Sequence, residues 1–197
     1  MNLRNQRHAY GLIQIILHWI MALSVIGIWL LGKYMTTLDY YHPWYNLLPW
    51  IHRGLGSLLS ALLIISLIQH FFDLRPVSFG PAWQRLLARS VHFLIYLLLT
   101  GCITSGYLMS TADGHSLSVF DWFELPAPGI RVANLEDIAG QWHYFLTWFL
   151  VFVLILHITG ALKHHFINGD PTLIRMLGRH RAMEDINHDN QANTAGP

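Results

Sequence analysis

The chain reads as an all-α integral membrane protein, a four-helix bundle with both termini in the cytoplasm. Three observations predict this. The first is composition: of 197 residues, 53% are apolar and 12% charged, against roughly 45–50% and 25% in an ordinary soluble domain. The second is a set of four apolar stretches, at residues 11–31, 50–72, 86–109 and 141–162. Each is long enough to cross ~30 Å of hydrocarbon as a helix. The third is where the cations lie. Four crossings put both termini on one side, and nine of the twelve Lys and Arg residues fall there: Arg4, Arg7, Arg75, Arg85, Arg89, Lys163, Arg175, Arg179 and Arg181. Lys33, Arg53 and Arg131 fall opposite. By the positive-inside rule, the side with the termini is cytoplasmic.

The first stretch is too long for the apolar region of a signal peptide. No small-residue cleavage site follows it, so it is expected in the mature chain. Residues 36–49 form an outer loop in which Tyr40, Tyr41, Trp44 and Tyr45, with Trp50 just beyond, suit the membrane–water boundary. Residues 73–84 form the inner loop, broken by Pro76, Gly80 and Pro81. Residues 110–140 are the sizeable outer segment, with Asp113, Asp121, Glu124, Glu136 and Asp137. Within it, 116–124 is expected as a short amphipathic helix ahead of Pro126. Residues 1–178 are read as one membrane domain and 179–197 as a polar tail without fixed structure. The net charge of +1 reflects this topology and not a nucleic-acid-binding surface. Cys102 is the single cysteine, which excludes an internal disulfide.

Four histidines lie inside the apolar stretches at matched depths: His18, His52, His143 and His157. Ionisable groups at such depth are costly and mark function. His143 and His157 are 14 residues apart. That interval advances four turns less about 40° and rises about 21 Å, so both rings leave one face at two depths. His18 and His157 each lie about seven residues from an inner helix end. His52 and His143 each lie about two residues from an outer end. Depth therefore pairs His18 with His157 near the cytoplasm and His52 with His143 near the exterior. Two b haems, each held by two imidazoles, fit this arrangement, because a bundle builds cofactor sites from facing side chains. Each imidazole would give one nitrogen to iron and the other N–H to a neighbour. Bis-histidine irons have both axial positions filled and suit electron transfer.

Other residues compete or assist. Arg53 is placed to meet a haem propionate through its planar fork, and Gly54 and Gly56 to let a porphyrin approach the backbone. His70 lies at the inner boundary, and His92 nearer the right depth is expected in a propionate or hydrogen-bonding role. His164 follows His157 by seven residues on nearly the same face. With Gln14, one turn from His18, it is a candidate quinone contact, since a quinone carbonyl needs a hydrogen-bond donor and a proton source. Trp19, Trp142 and Trp148 are read as packing or boundary residues. A metal carrier built on His164 and His165 would need polar groups across the bilayer, where Leu, Ile and Val dominate. Cys102 and Ser105 have no base–acid arrangement for nucleophilic catalysis.

The chain resembles the bacterial cytochrome b561 family of small dihaem membrane proteins. The matching segments are ILHW at Ile16–Trp19, IHRGLG at Ile51–Gly56, HFLIYLLL at His92–Leu99, SGYLMS at Ser105–Ser110, WHYFLTW at Trp142–Trp148 and LHITGALKHHF at Leu156–Phe166. They span nearly all of residues 10–178. The resemblance implies a four-helix bundle in the bacterial inner membrane, with b haems ligated as paired above and electron transfer with ubiquinone. It further implies two kinds of outer electron donor. In one, superoxide is oxidised at the periplasmic face; in the other, the chain is an electron-transfer subunit serving a periplasmic redox protein. Lys33, Arg53 and Arg131 are the outer cations available to superoxide. The acidic, aromatic segment 110–140 suits a docking surface or a lid.

Overall fold

The computed structural model describes residues 3–6, 9–74, 76 and 81–178. The 179–197 tail, with Arg7, Arg75, Arg179 and Arg181, lies outside the described residues. Four long helices dominate: α1 (Leu12–Met35), α2 (Leu47–Phe72), α3 (Ala82–Ser110) and α4 (Leu135–Phe166). All four are long and apolar enough to cross a membrane. Their faces agree with that reading. Leu23, Ile64, Phe93, Phe145 and Ile155 are exposed, as side chains that meet lipid would be. Burial of apolar area drives little association between helices in lipid, where close packing does the work. The core is accordingly small, with Leu59 and Leu63 of α2, Leu98, Leu99 and Cys102 of α3, and Leu150 and Val153 of α4.

The helices overrun the apolar stretches that predict them. At 1.5 Å per residue, the 32 residues of α4 span about 48 Å, well beyond the hydrocarbon. His143 therefore lies eight residues inside α4, and His52 five inside α2; the expected two-residue depth measured the apolar stretch, not the helix. Pro49 falls in the first turn of α2, where its missing N–H costs nothing.

The helices pair as two hairpins. α1 packs along α2 and α3 along α4, whereas α2 touches α3 lightly. α1 and α4 meet through the edge-to-face contact of Trp29 with Trp148 at 5.6 Å and through Lys33 over the Trp148 ring. At the other end Trp19 Nε1 donates to the Met176 carbonyl at 2.9 Å. Asn5 Nδ2 donates to the Leu74 carbonyl at 3.1 Å. The start of α1, the end of α2 and the end of α4 thus share one side. There a short helix, α5 (Thr172–Met176), follows α4.

One expectation is overturned. Residues 116–124 form no helix but the first arm and turn of an antiparallel hairpin, β1 (Leu117–Val119) and β2 (Phe123–Leu125), with Val119 opposite Phe123. Leu117 and Val119 are buried and Ser118 between them is not, a period of two that suits a strand. Phe120 and Asp121 both take positive φ, at 51° and 59°, and Ser118 Oγ donates to Asp121 Oδ1 at 2.9 Å to hold the turn. The hairpin lies against the outer end of α2. Phe120 packs edge-to-face on Trp50 at 5.1 Å.

Candidate functional site

The pairing inferred from depth appears in the geometry. The ring centroids of His52 and His143 are 6.2 Å apart, and those of His18 and His157 are 6.4 Å apart. A histidine–metal bond is about 2.0–2.1 Å and the ring centre lies about 1.1 Å behind its nitrogen, so two imidazoles sharing one metal need roughly 6.2–6.4 Å. Both pairs leave that room. His92 does not: its ring is 4.9 Å from that of His157, and its Nδ1 lies 2.7 Å from the carbonyl of Ala88, one turn back.

The outer pair borders a cavity of about 1250 Å3 between the two helical hairpins, lined in part by His52, His143, Arg53, Gly56, Gly106 and Trp29. The small residues around it make room for the rings. A Cβ at Gly32 would lie 2.9 Å from His52 Cε1, and one at Gly106 would lie 3.1 Å from His143 Cε1. His143 donates from Nδ1 to the Cys102 carbonyl at 2.9 Å, with Ser105 Oγ 3.3 Å away. This leaves Nε2 for a ligand role. His52 Nδ1 is buried without a hydrogen-bond partner. Arg53 is exposed at the outer end. The two neighbouring glycines differ from expectation. Gly56 faces open space, but a Cβ at Gly54 would collide with the Phe120 ring at 2.6 Å. The space beside Gly54 holds the hairpin, not a porphyrin.

The inner pair lies toward the end where the termini meet, and Trp19 packs edge-to-face on His18 at 5.6 Å. His164 does not stand alone there. Its Nδ1 lies 2.5 Å from Asp170 Oδ2, and the two side chains are 22% and 13% exposed. Asp170 Oδ1 accepts from the Thr172 amide at 3.1 Å and the Thr172 hydroxyl at 2.5 Å. Gln14 is half-buried on α1. Burial acts to raise the Asp170 pKa, yet bonds from the Thr172 hydroxyl, His164 and the Thr172 amide together hold it below the ordinary 3.8. A lowered folded-state pKa means that the charged form is bound better in the folded chain. That contribution is complete above the unfolded carboxylate value and is lost as pH falls through the folded one. Acidification below pH 3.8 is therefore expected to lower the protection of the Thr172 amide, measured as its exchange rate relative to an unstructured peptide at the same pH, while a change between pH 6 and 8 leaves the Asp170 contribution unaltered. Protection that rose in acid would contradict it.

Asp170, Gly32, Gly106 and the Cys102 carbonyl escape the sequence reading. Asp170-Pro171 is the one with a local signal, since Asp before Pro commonly opens a helix.

A bundle of apolar helices with histidines facing in pairs across it defines the class of membrane-embedded b cytochromes. Family comparison makes this specific. The family model of prokaryotic cytochrome b561 matches residues 9–179, and the chain belongs to that family. It is 42% identical over 182 residues to cytochrome b561 homolog 2 of Escherichia coli K12, covering 91% of this chain and 96% of that one. It is 31% identical over 180 residues to the probable superoxide oxidase CybB of Yersinia pestis, covering 87% and 97%. Cytochrome b561 homolog 1 of E. coli K12 is 27% identical over 176 residues, covering 85% and 96%. Membership makes this a bacterial membrane protein of electron transport that binds b-type haem.

Proposed function

We propose that the chain carries electrons across the inner membrane through two b haems, from a periplasmic donor to ubiquinone. His52 and His143 hold the outer haem, and His18 and His157 hold the inner one. The observation that carries this is the pair of ring separations, 6.2 and 6.4 Å. Each pair would offer two imidazoles to an iron, and haem held there would supply one-electron chemistry. The residues orient and shield it. The Cys102 carbonyl fixes the His143 tautomer, and Arg53 is placed at the outer end for a propionate. Positive charge on the side of the termini supports their cytoplasmic placement. Residues 1–178 act as one domain.

The 31% identity to a probable superoxide oxidase supports superoxide as donor, with Lys33 and Arg53 at the outer ends of their helices to attract an anion. A second reading, a redox protein docking outside, is favoured by the hairpin, whose Trp122 and Phe123 are exposed beside Asp121. Haem counting on detergent-purified protein, followed by addition of superoxide, tests both. Two b haems per chain with rapid reduction supports the first donor, and two haems without a response supports the second. Fully reconstituted protein without haem overturns the whole reading.

His164 is the proposed quinone contact, with Gln14 of α1 as the second candidate. Replacing His164 with Ala is expected to slow electron exchange between reduced protein and a water-soluble ubiquinone about 100-fold, the lower end of what a positioned acid contributes. The haem spectrum stays as in the parent. An unchanged exchange rate removes His164 from the site.

A further inference from the structure

We propose that Asp170 is a positioning residue that aims His164 at a quinone carbonyl and holds its ring ready to deliver a proton. This role rests on the quinone reading of the inner end given above. Four bonds fix the pair. The Asp170 amide donates to the His164 carbonyl at 3.1 Å. Asp170 Oδ1 is held by both donors of Thr172, and Oδ2 meets His164 Nδ1 at 2.5 Å. The Asn168 amide group approaches the same nitrogen at 3.3 Å. The shorter contact, to a carboxylate, decides that Nδ1 carries a hydrogen. Nε2 is then the nitrogen left to face a substrate.

The dyad lies where such a device is useful. His164 follows His157 by seven residues on α4, which is about 10.5 Å farther along the axis and only about 20° off its face. The Trp19–Met176 bond ties α5 to α1 one residue from His18. The inner histidine pair, His164 and Asp170 are therefore joined by a short run of contacts at one end of the bundle.

The chemistry balances as follows. Ubiquinone takes two electrons and two protons to become the quinol. Each electron would come from superoxide or a protein donor, through the haem that His18 and His157 would hold. Each proton passes from Nε2 of the His164 imidazolium to a carbonyl oxygen. The ring, now neutral, keeps its Nδ1–H on Asp170 and regains a proton from water on the same side. The Asp170 carboxylate accepts the Nδ1–H and so leaves Nε2 pointing away from it. Asp170→Asn keeps the hydrogen-bonding shape, but its amide can donate to Nδ1 and hold the ring in the other tautomer, from which loss of the Nε2 hydrogen would leave an imidazolate.

The test uses full-length, haem-loaded protein and water-soluble ubiquinone. With Asp170→Asn, the maximal rate of quinone reduction is expected to fall tenfold or more. The half-saturating quinone concentration, equilibrium quinone binding to the oxidised protein and the haem spectrum stay within twofold. Asp170→Glu restores most of the rate. Tyr10→Leu removes the ring that lies 5.2 Å from the Arg175 guanidinium of α5, a support of α5 that touches neither Asp170 nor His164, and it retains the parental rate. If Tyr10→Leu slows the reaction as much as Asp170→Asn, or Asp170→Asn weakens binding instead of rate, the aspartate only docks α5 and the proposal falls. If His164→Ala is slow and Asp170→Asn is not, the Asp170 role alone falls. If His164→Ala is as fast as the parent, the quinone reading beneath it falls.

Discussion

His52→Ala and His143→Ala are each expected to yield protein with one b haem, the inner, and His18→Ala and His157→Ala protein with the outer haem alone. The separation between the two pairs sets this expectation. His143 and His157 are 14 residues apart on one helix, about 21 Å of rise, so loss of a ligand at one site does not reach the other. In the proposed pairing each substitution removes one of the two imidazoles that would hold an iron. The pyridine haemochrome content should halve, and a potentiometric titration with two waves should become one. The crossed outcome, in which His18→Ala and His143→Ala abolish the same wave, would overturn the pairing. His92 is the competitor to exclude. Its ring is nearer to His157 than that of His18 is, at 4.9 against 6.4 Å. Nearness counts against it, because about 6.3 Å is needed to seat a metal between two rings. His92→Ala is therefore expected to keep both haems.

The membrane architecture was legible because it depends on long-range averages. Four apolar runs survive any local ambiguity, and a 14-residue interval on one helix fixes two rings to one face without tertiary knowledge. That His18 lies beside His157 and His52 beside His143 needed only depth. What stayed hidden depends on where separate segments meet. Gly32 is 20 residues from His52 in sequence, yet it faces that ring. Asp170 binds His164 only because the chain turns back after Phe166. The segment 116–124 misled because its mixture of apolar and acidic residues fits a helix as well as a strand. Burial of Leu117 and Val119 under the hairpin, not local preference, decided for the strand. Gly54 was read as room for a cofactor, and a side chain from 66 residues away fills that room instead.

The glycines around the outer pair give the second large effect. Gly106→Ala would set a methyl 3.1 Å from His143 Cε1 and 3.2 Å from Nδ1. The ring cannot easily yield, since Nδ1 is bonded to the Cys102 carbonyl. Gly32→Ala would come closer still, 2.9 Å from His52 Cε1, but no bond at Nδ1 holds that ring as the Cys102 carbonyl holds His143. Gly106→Ala is therefore expected to weaken outer-haem retention the more, by about 10–100-fold, the range for lost support around a metal ligand. Gly32→Ala should act in the same direction with a smaller loss. The backbone works the other way. Alanine stabilises a helix interior over glycine by about 0.8–1.0 kcal/mol, so a drop in haem cannot be charged to a weaker helix. Gly27 on α1 has nothing within 4 Å of an added Cβ, and Gly27→Ala shares that helix gain without the collision. It should keep both haems. Competition with a haem-scavenging apoprotein measures the three losses side by side. Equal retention in all three variants would mean that the rings do not need the space these glycines leave, and that the outer site is not built around His52 and His143 in the positions described.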